Sequence, residues 1–327
     1  MTRNVVTIFG GSGFIGRHVV KRFAKAGWIV RAAMRDPVAG GFLKTMGEPG
    51  QVIPIRVDVT DKNAVRDAVQ GAQCVVNLVG ILFEKGKRRF DTIHTQAAAT
   101  VAQAAAAAGA TTLVHMSALG ADKGSTSAYA RSKALGEEAV LAAFPSAIII
   151  RPSVVFGPDD DFFNRFAALA RMSPVLPVFT QDGFKLAHSE NGMELDLFGS
   201  GGTTFQPVHV GDVAEAIFRA AGEPAAAGKT YELGGPRRYT MKEIMETVLA
   251  GTGLKRWLLP LPFAFAGIQA AFLQFLPTPP LTPDQVALMR TDNVVRGGKP
   301  GLAELGITAT ACEAVVPSYL ARYAPTS

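Results

Sequence analysis

Three residues of this chain have the types and spacing for hydride-transfer chemistry: Ser117, Tyr129 and Lys133. Tyr129 and Lys133 stand four apart in Tyr129-Ala130-Arg131-Ser132-Lys133, which on a helix sets phenol and ammonium one turn apart on one face. A nearby ammonium favours the phenolate, the shift that a general acid/base for carbonyl–alcohol interconversion needs. Ser117 closes an apolar strand, Leu113–Met116, where its hydroxyl can hold a substrate oxygen. A Tyr-x-x-x-Lys pair alone recurs by chance, so its weight depends on the fold around it.

That fold is announced by Gly10-Gly11-Ser12-Gly13-Phe14-Ile15-Gly16, which follows a short β-rich run and opens a helical pattern. One glycine permits a sharp turn, another lets the backbone approach a pyrophosphate, and Gly16 lets helix and strand pack closely. The helix N-terminus then offers its N–H groups to the phosphates. At the end of the second strand a nicotinamide dinucleotide with a free ribose needs an acid. Ala32-Ala33-Met34-Arg35 supplies a guanidinium instead, and Asp36 comes one position late. A fixed planar cation suits a 2′-phosphate, so NADPH is expected over NADH, the alternative being an Arg35 that simply faces solvent. Asp58-Val59 follows the third strand, where an aspartate can face the adenine amino group. Asn77-Leu78-Val79-Gly80 ends the fourth, where the backbone passes the adenosine ribose.

The elements that must hold these residues alternate regularly. Strands are expected at 5–9, 29–34, 51–57, 74–79, 112–116 and 147–150, with helices at 14–26, 62–70, 95–108 and 127–144. This is the pattern of an α/β doubly wound parallel Rossmann sheet. Residues 1–160 form the dinucleotide-binding domain, its sheet completed by a return at about 206–235 that includes Thr230–Leu233. Residues 161–327 form a smaller, mostly helical C-terminal cap or docking region over the carboxyl edge of the sheet. At 327 residues and 48% apolar composition the chain has ample material for both. Cys74 lies in an apolar run and reads as a buried free thiol, and a single possible pair with Cys312 makes no disulfide framework. The histidines His18, His94, His115, His188 and His209 show no metal-ligand spacing, so no metal is expected.

The excess of six positive charges is spread out, its densest part being Lys85, Lys87, Arg88 and Arg89, which reads as a solvated basic loop. No aromatic-interleaved basic stripe points to nucleic acid. The first strand begins by about Asn4, so no signal or transit peptide is expected ahead of it, and no apolar run reaches the ~20 residues of a membrane span. The most apolar stretch, Pro262–Pro277, would make a helix of roughly 20 Å, preceded by Leu258-Leu259-Pro260-Leu261. It is either a buried helix of the cap or an apolar face for a membrane surface or another subunit.

The glycine turn, Asp58, Ser117, Tyr129 and Lys133 resemble the extended short-chain dehydrogenase/reductase superfamily. A narrower resemblance runs almost the full length, through 7–17, 76–80, 151–160, 206–213 and 301–307, to the alpha-subcomplex subunit 9 family of respiratory complex I. That family is an atypical branch of the superfamily. The resemblance implies a tightly held NADPH, an accessory role within NADH:ubiquinone oxidoreductase without turnover, and a vestigial Ser117-Tyr129-Lys133 set. It also adds Ser117, Tyr129, Lys133, Pro152, Ser153 and Val154 to the cofactor-binding residues. It further implies partners in the peripheral arm, contact of 258–277 with the membrane, and a peripheral place on the cytoplasmic side of a bacterial inner membrane. One segment departs from it. Where relatives have a short Gly-rich link, this chain carries an insertion at about 178–205, with Lys185, His188, Glu190, Glu194 and Asp196, read as a solvated loop or a partner contact. Two other functions stay open: a free-standing NAD(P)-dependent reductase, epimerase or dehydratase using Tyr129, and an NADPH-sensing regulator.

Overall fold

The computed structural model describes residues 4–180, 185–189, 192–196, 198–277 and 279–325, of which 185–189 and 192–196 are described by their backbone alone. The chain divides into two compact units. The first takes in the chain through Pro152, then Val210–Leu233 and Gly297–Thr308; the second takes Ser153–His209, Gly234–Arg296 and the chain from Ala309 on.

In the first unit, β1 (Val5–Phe9), β2 (Ile29–Met34), β3 (Val52–Arg56), β4 (Cys74–Asn77), β5 (Thr112–Met116), β6 (Ile148–Pro152) and the strand Thr230–Leu233 form one parallel sheet. From one edge the order is Thr230–Leu233, β6, β5, β4, β1, β2, β3, so the order reverses between β1 and β4. Every residue of β4 is buried, as expected of a strand covered on both faces. Helices α1 (Phe14–Lys25), α2 (Lys62–Val69), α3 (Ala97–Ala107) and α4 (Ala128–Ala143) make four of the six crossovers. Register matters for the site. Phe9 lies beside Ala33 and Asn77, Asn77 beside His115, and Met116 beside Ile150. The residues that follow β1, β4 and β5 therefore leave the sheet at one edge, the carboxyl ends at the switch point where open α/β sheets hold ligands.

The helix expected from Thr95 starts earlier and differently. Asp91–Gln96 is a π-helical turn that runs into α3, an arrangement common beside functional sites. The alanines of α3 let it lie close to the sheet in a core with Phe9, Val75, Leu113 and Ile149.

The second unit packs helices Phe163–Met172, Met241–Thr252, Phe263–Leu273, Pro283–Leu288 and Cys312–Leu320 around its own core, which includes Phe156, Phe163, Leu176, Ile244 and Val316. Short strand pairs brace it: Val155–Phe156 with Val208–His209, and Val175–Thr180 with Trp257–Pro262, both parallel. Asp160 anchors the first of these helices by accepting from the N–H groups of Phe162, Phe163 and Asn164, and Tyr319 donates to its other oxygen at 2.6 Å.

Several expectations change here. The 178–205 segment is not simply a solvated loop. Lys185–Ser189 and Gly192–Asp196 pair as an antiparallel hairpin, with Leu186 opposite Leu195; Glu190 lies outside the described residues. The 258–261 run lies in a strand, Trp257–Pro262, in parallel register with Val175–Thr180. The apolar helix after it is shorter than the proline-bounded run, Phe263–Leu273. Among the described residues no helix is long and apolar enough to cross a membrane.

Candidate dinucleotide and catalytic site

The glycine turn is built by close approach. Gly10 takes φ +81°, donates to the carbonyl of Ala33 at 3.0 Å, and accepts from Gly13 N–H at 3.0 Å. A Cβ on Gly16 would stand 2.1 Å from the Gly10 carbonyl oxygen, so only glycine lets α1 begin this near β1. Gly13 occupies the cap position of α1, no side chain caps the helix, and its first turn carries no acid. Phe14, Ile15 and Gly16 thus present the N–H groups of an uncapped helix start, which is the anion-binding arrangement.

Around the adenosine end, Arg35 is exposed, and Asp36 spends its carboxylate on the N–H groups of Val38 and Ala39 at 3.0 and 3.1 Å. Asp58 accepts from the N–H and hydroxyl of Thr60 at 3.0 and 2.8 Å. Partial burial opposes its charge. The Thr60 bonds, with Arg88 and Arg35 nearby, outweigh that and hold the carboxyl below the usual aspartate range. Val59 is buried beside it. Leu78 N–H donates to Phe9 at 3.0 Å and Val79 N–H to the Asn77 side chain at 3.2 Å, which fixes the strand end in Asn77–Gly80.

At the reactive end, Ser127 caps α4 by accepting from Ala130 N–H, and Tyr129 and Lys133 leave successive turns of that helix. Lys133 is buried, and its Nζ donates to the carbonyl of Met116 at 3.0 Å. Burial drives its pKa down to about 8, against the opposing pull of Glu137. The next residue, Ser117, has a buried hydroxyl with no hydrogen-bond partner among the described residues. A buried polar oxygen without a partner is rare and fits a ligand oxygen at this place. A Cβ on Gly80 would stand 3.4 Å from Lys133 Nζ, so the backbone after β4 runs directly beside the ammonium. The uncapped helix start, the close glycine turn and the partnerless Ser117 hydroxyl together fit a dinucleotide.

Sequence reasoning missed several members of this site. Phe90 and His94 hold the Tyr129 ring edge to face, at centroid distances of 5.8 and 5.3 Å. His94 is oriented by Ser132 at 2.8 Å and by Ile81 N–H at 3.0 Å. Burial, reinforced by Lys133, pushes its pKa down to about 2, so it is a neutral ring that accepts at Nε2. His115 lies beneath, paired with Asn77 at 3.3 Å and kept neutral by burial and Lys133, its pKa about 3. The four-residue step from Phe90 to His94 is a helical spacing and was a legible signal. The basic loop also changes character: Arg88 turns inward and pairs with Asp58 at 3.7 Å, while Arg89 stays out with Glu84.

Pro152 ends β6. Ser153 and Val154 open the second unit, where the Ser153 hydroxyl lies 2.9 Å from the Asn293 carbonyl oxygen and 2.7 Å from its Oδ1, and Val154 N–H donates to that side chain at 3.1 Å. Cys74 is buried, with its thiol pushed up to about 12, an inert group.

The NAD dependent epimerase/dehydratase family matches residues 6–234. Mitochondrial NADH dehydrogenase [ubiquinone] 1 alpha subcomplex subunit 9 of Mus musculus is 35% identical over 94% of this chain and 78% of its own. A ceramide reductase of Caulobacter vibrioides is 32% identical over 80% of this chain and 74% of its own. Among solved structures, MoeE5 with UDP-glucose and NAD shares the fold at TM-score 0.69 and 18% identity, each covering 98% of the other. The NADPH-dependent quinone oxidoreductase QOR2 of Escherichia coli, complexed with NADPH, does so at TM-score 0.70 and 19% identity, over 96% of this chain and 99% of that one. The family match over residues 6–234 and the near full-length identity to subunit 9 make the chain a member of the NAD dependent epimerase/dehydratase family, on the branch that contains complex I alpha subcomplex subunit 9.

Proposed function

We propose that this chain is an NADPH-binding accessory subunit of bacterial respiratory complex I, in which the nucleotide is a structural ligand. The single observation that carries the assembly role is similarity to subunit 9 over nearly the whole chain, second unit included. Arg35 in place of an acid supports NADPH over NADH. A ligand that binds only the folded chain stabilises it by linkage, which gives a kept nucleotide a function without turnover.

The subunit docks on the peripheral arm, at the cytoplasmic side of the inner membrane. Exposed Trp257, Leu259, Phe265, Ile268, Phe272 and Phe275 support a contact with the membrane surface or a neighbouring subunit, since the opposite face of that helix, Phe263, Ala266 and Ala270, is already buried. Affinity capture from membranes solubilised in mild detergent tests the assignment. Respiratory subunits should co-elute, and recovery of a lone chain overturns it.

A second reading has its own support. Ser117, Tyr129 and Lys133 are all present, the Ser117 hydroxyl is unspent, and one relative bears the name ceramide reductase. On this reading Tyr129 exchanges a proton with a lipid carbonyl or alcohol, Lys133 favours its phenolate, and Ser117 holds the substrate oxygen. It requires NADPH oxidation by the isolated protein with a ceramide-type lipid ketone, hydride passing to the carbonyl carbon and the Tyr129 proton to its oxygen, abolished by Tyr129→Phe.

A further inference from the structure

The residues Lys85, Lys87, Arg88 and Arg89 read as one solvated loop in sequence, but the folded chain treats them differently. Lys85 and Arg88 exchange two backbone hydrogen bonds, at 3.1 and 3.0 Å, across a tight turn with Gly86 at φ +57°. Glu84 closes the base by accepting from Phe90 N–H at 2.8 Å. This braced turn presents one side chain inward: Arg88 is 26% exposed, Arg89 65%.

The partner of Arg88 lies far across the sheet. Arg88 follows β4, Asp58 follows β3, and β1 and β2 lie between them. A contact of 3.7 Å between the two therefore carries the Arg88 side chain past the carboxyl ends of β1 and β2, the strands that the glycine turn and Arg35 follow. Val57 N–H donates to Met34, so Arg35 and Asp58 leave neighbouring strand ends side by side. Arg35 is close enough for its charge to act on both Asp58 and Arg88. One guanidinium thus pairs with a carboxylate already engaged by Thr60, and a second cation, Arg35, stands on the neighbouring strand end. The local excess of positive charge is complemented by a phosphate dianion, which two planar forks can chelate.

We propose that Arg88 is the second jaw of a 2′-phosphate clamp, closing over the adenosine opposite Arg35 and exchanging Asp58 for the phosphate. The inference rests on the NADPH reading and deepens it. Because Thr60 holds Asp58 without help from Arg88, the carboxylate remains in place for the adenine amino group after the exchange.

The test uses the purified full-length chain, freed of nucleotide, titrated calorimetrically with adenosine 2′,5′-bisphosphate and with 5′-AMP. The wild-type chain should prefer the bisphosphate. Arg88→Gln should weaken the bisphosphate by about 10- to 100-fold, the scale of a charge-assisted hydrogen bond, and leave 5′-AMP unchanged. Its affinity should also depend less steeply on salt, and its melting temperature without ligand should match the wild type. Equal weakening of both probes would mean that Arg88 only shapes the loop, and overturns the clamp. No weakening of either, with the preference lost in Arg35→Gln, also overturns it while sparing the NADPH reading. A wild-type chain that binds both probes equally removes the NADPH reading and the clamp together.

Discussion

Lys133 Nζ donates to the carbonyl oxygen of Met116, so the ammonium of α4 is tied to the residue just before Ser117. One bond fixes helix to strand and ties the buried cation to the residue before Ser117, whose buried hydroxyl has no partner among the described residues.

The burial of Lys133 has a signed consequence for pH. Its proton leaves at about 8 in the folded chain and near 10.5 when unfolded, so between these values the unfolded state holds more protons. Stability from this group therefore rises with pH across that window, by roughly 2–4 kcal/mol, as the cost of a buried charge disappears. Urea denaturation from pH 7 to 10 should show this rise in the wild type and lose it in Lys133→Met. Nucleotide affinity should move the other way, falling above about pH 8 in the wild type and staying flat in Lys133→Met.

The π-helical turn that carries His94 depends on Gly136. A Cβ there would lie 2.1 Å from the His94 carbonyl oxygen, which α4 cannot accommodate without shifting. Gly136→Ala is expected to cost roughly 2–4 kcal/mol in chemical denaturation. It should also weaken nucleotide binding, because Phe90 and His94 would no longer hold Tyr129.

Arg151 is bound to Glu137 by two bonds, at 2.8 and 2.6 Å, and stands 3.7 Å from Glu232. Both carboxylates are nearly buried. Arg151→Met leaves them uncompensated and should cost about 3–5 kcal/mol, whereas a triple change of all three to apolar residues should recover much of it. Equilibrium denaturation of the two variants measures the difference.

The apolar helix Phe263–Leu273 gives a separable effect. Phe265 is 60% and Phe272 75% exposed, so neither contributes much to the fold. Phe265→Ser with Phe272→Ser should leave the melting temperature within the small range of surface changes. Flotation with liposomes, or recovery in the membrane fraction, should fall several-fold.

Much of this was legible in sequence because it is local. The alternation of strand and helix, the Gly10–Gly16 turn, and the four-residue step from Tyr129 to Lys133 are patterns of nearest neighbours. Arg88 was not legible, since its inward turn depends on a carboxylate some thirty residues earlier on the far side of β1 and β2. Nor was the neutral state of His94, which is set by its burial in the folded chain and reinforced by Lys133 on another helix. The 185–196 hairpin was hidden because its polar composition resembles a loop, while its pairing comes from register. The return of Gly297–Thr308 to the first unit has the same non-local origin: Pro300 accepts from Glu232 N–H, and Arg219 donates to Leu305 and Gly306.

On the proposed function the nucleotide is kept within a respiratory assembly. The direct measurement is nucleotide content and exchange in the native assembly, captured through this chain in mild detergent and washed extensively. Respiratory subunits should appear in the eluate, with about one NADPH per copy retained through the washing and no exchange with labelled NADPH in the assembly over hours. A lone chain whose nucleotide exchanges freely and is oxidised by an added lipid carbonyl substrate would contradict it.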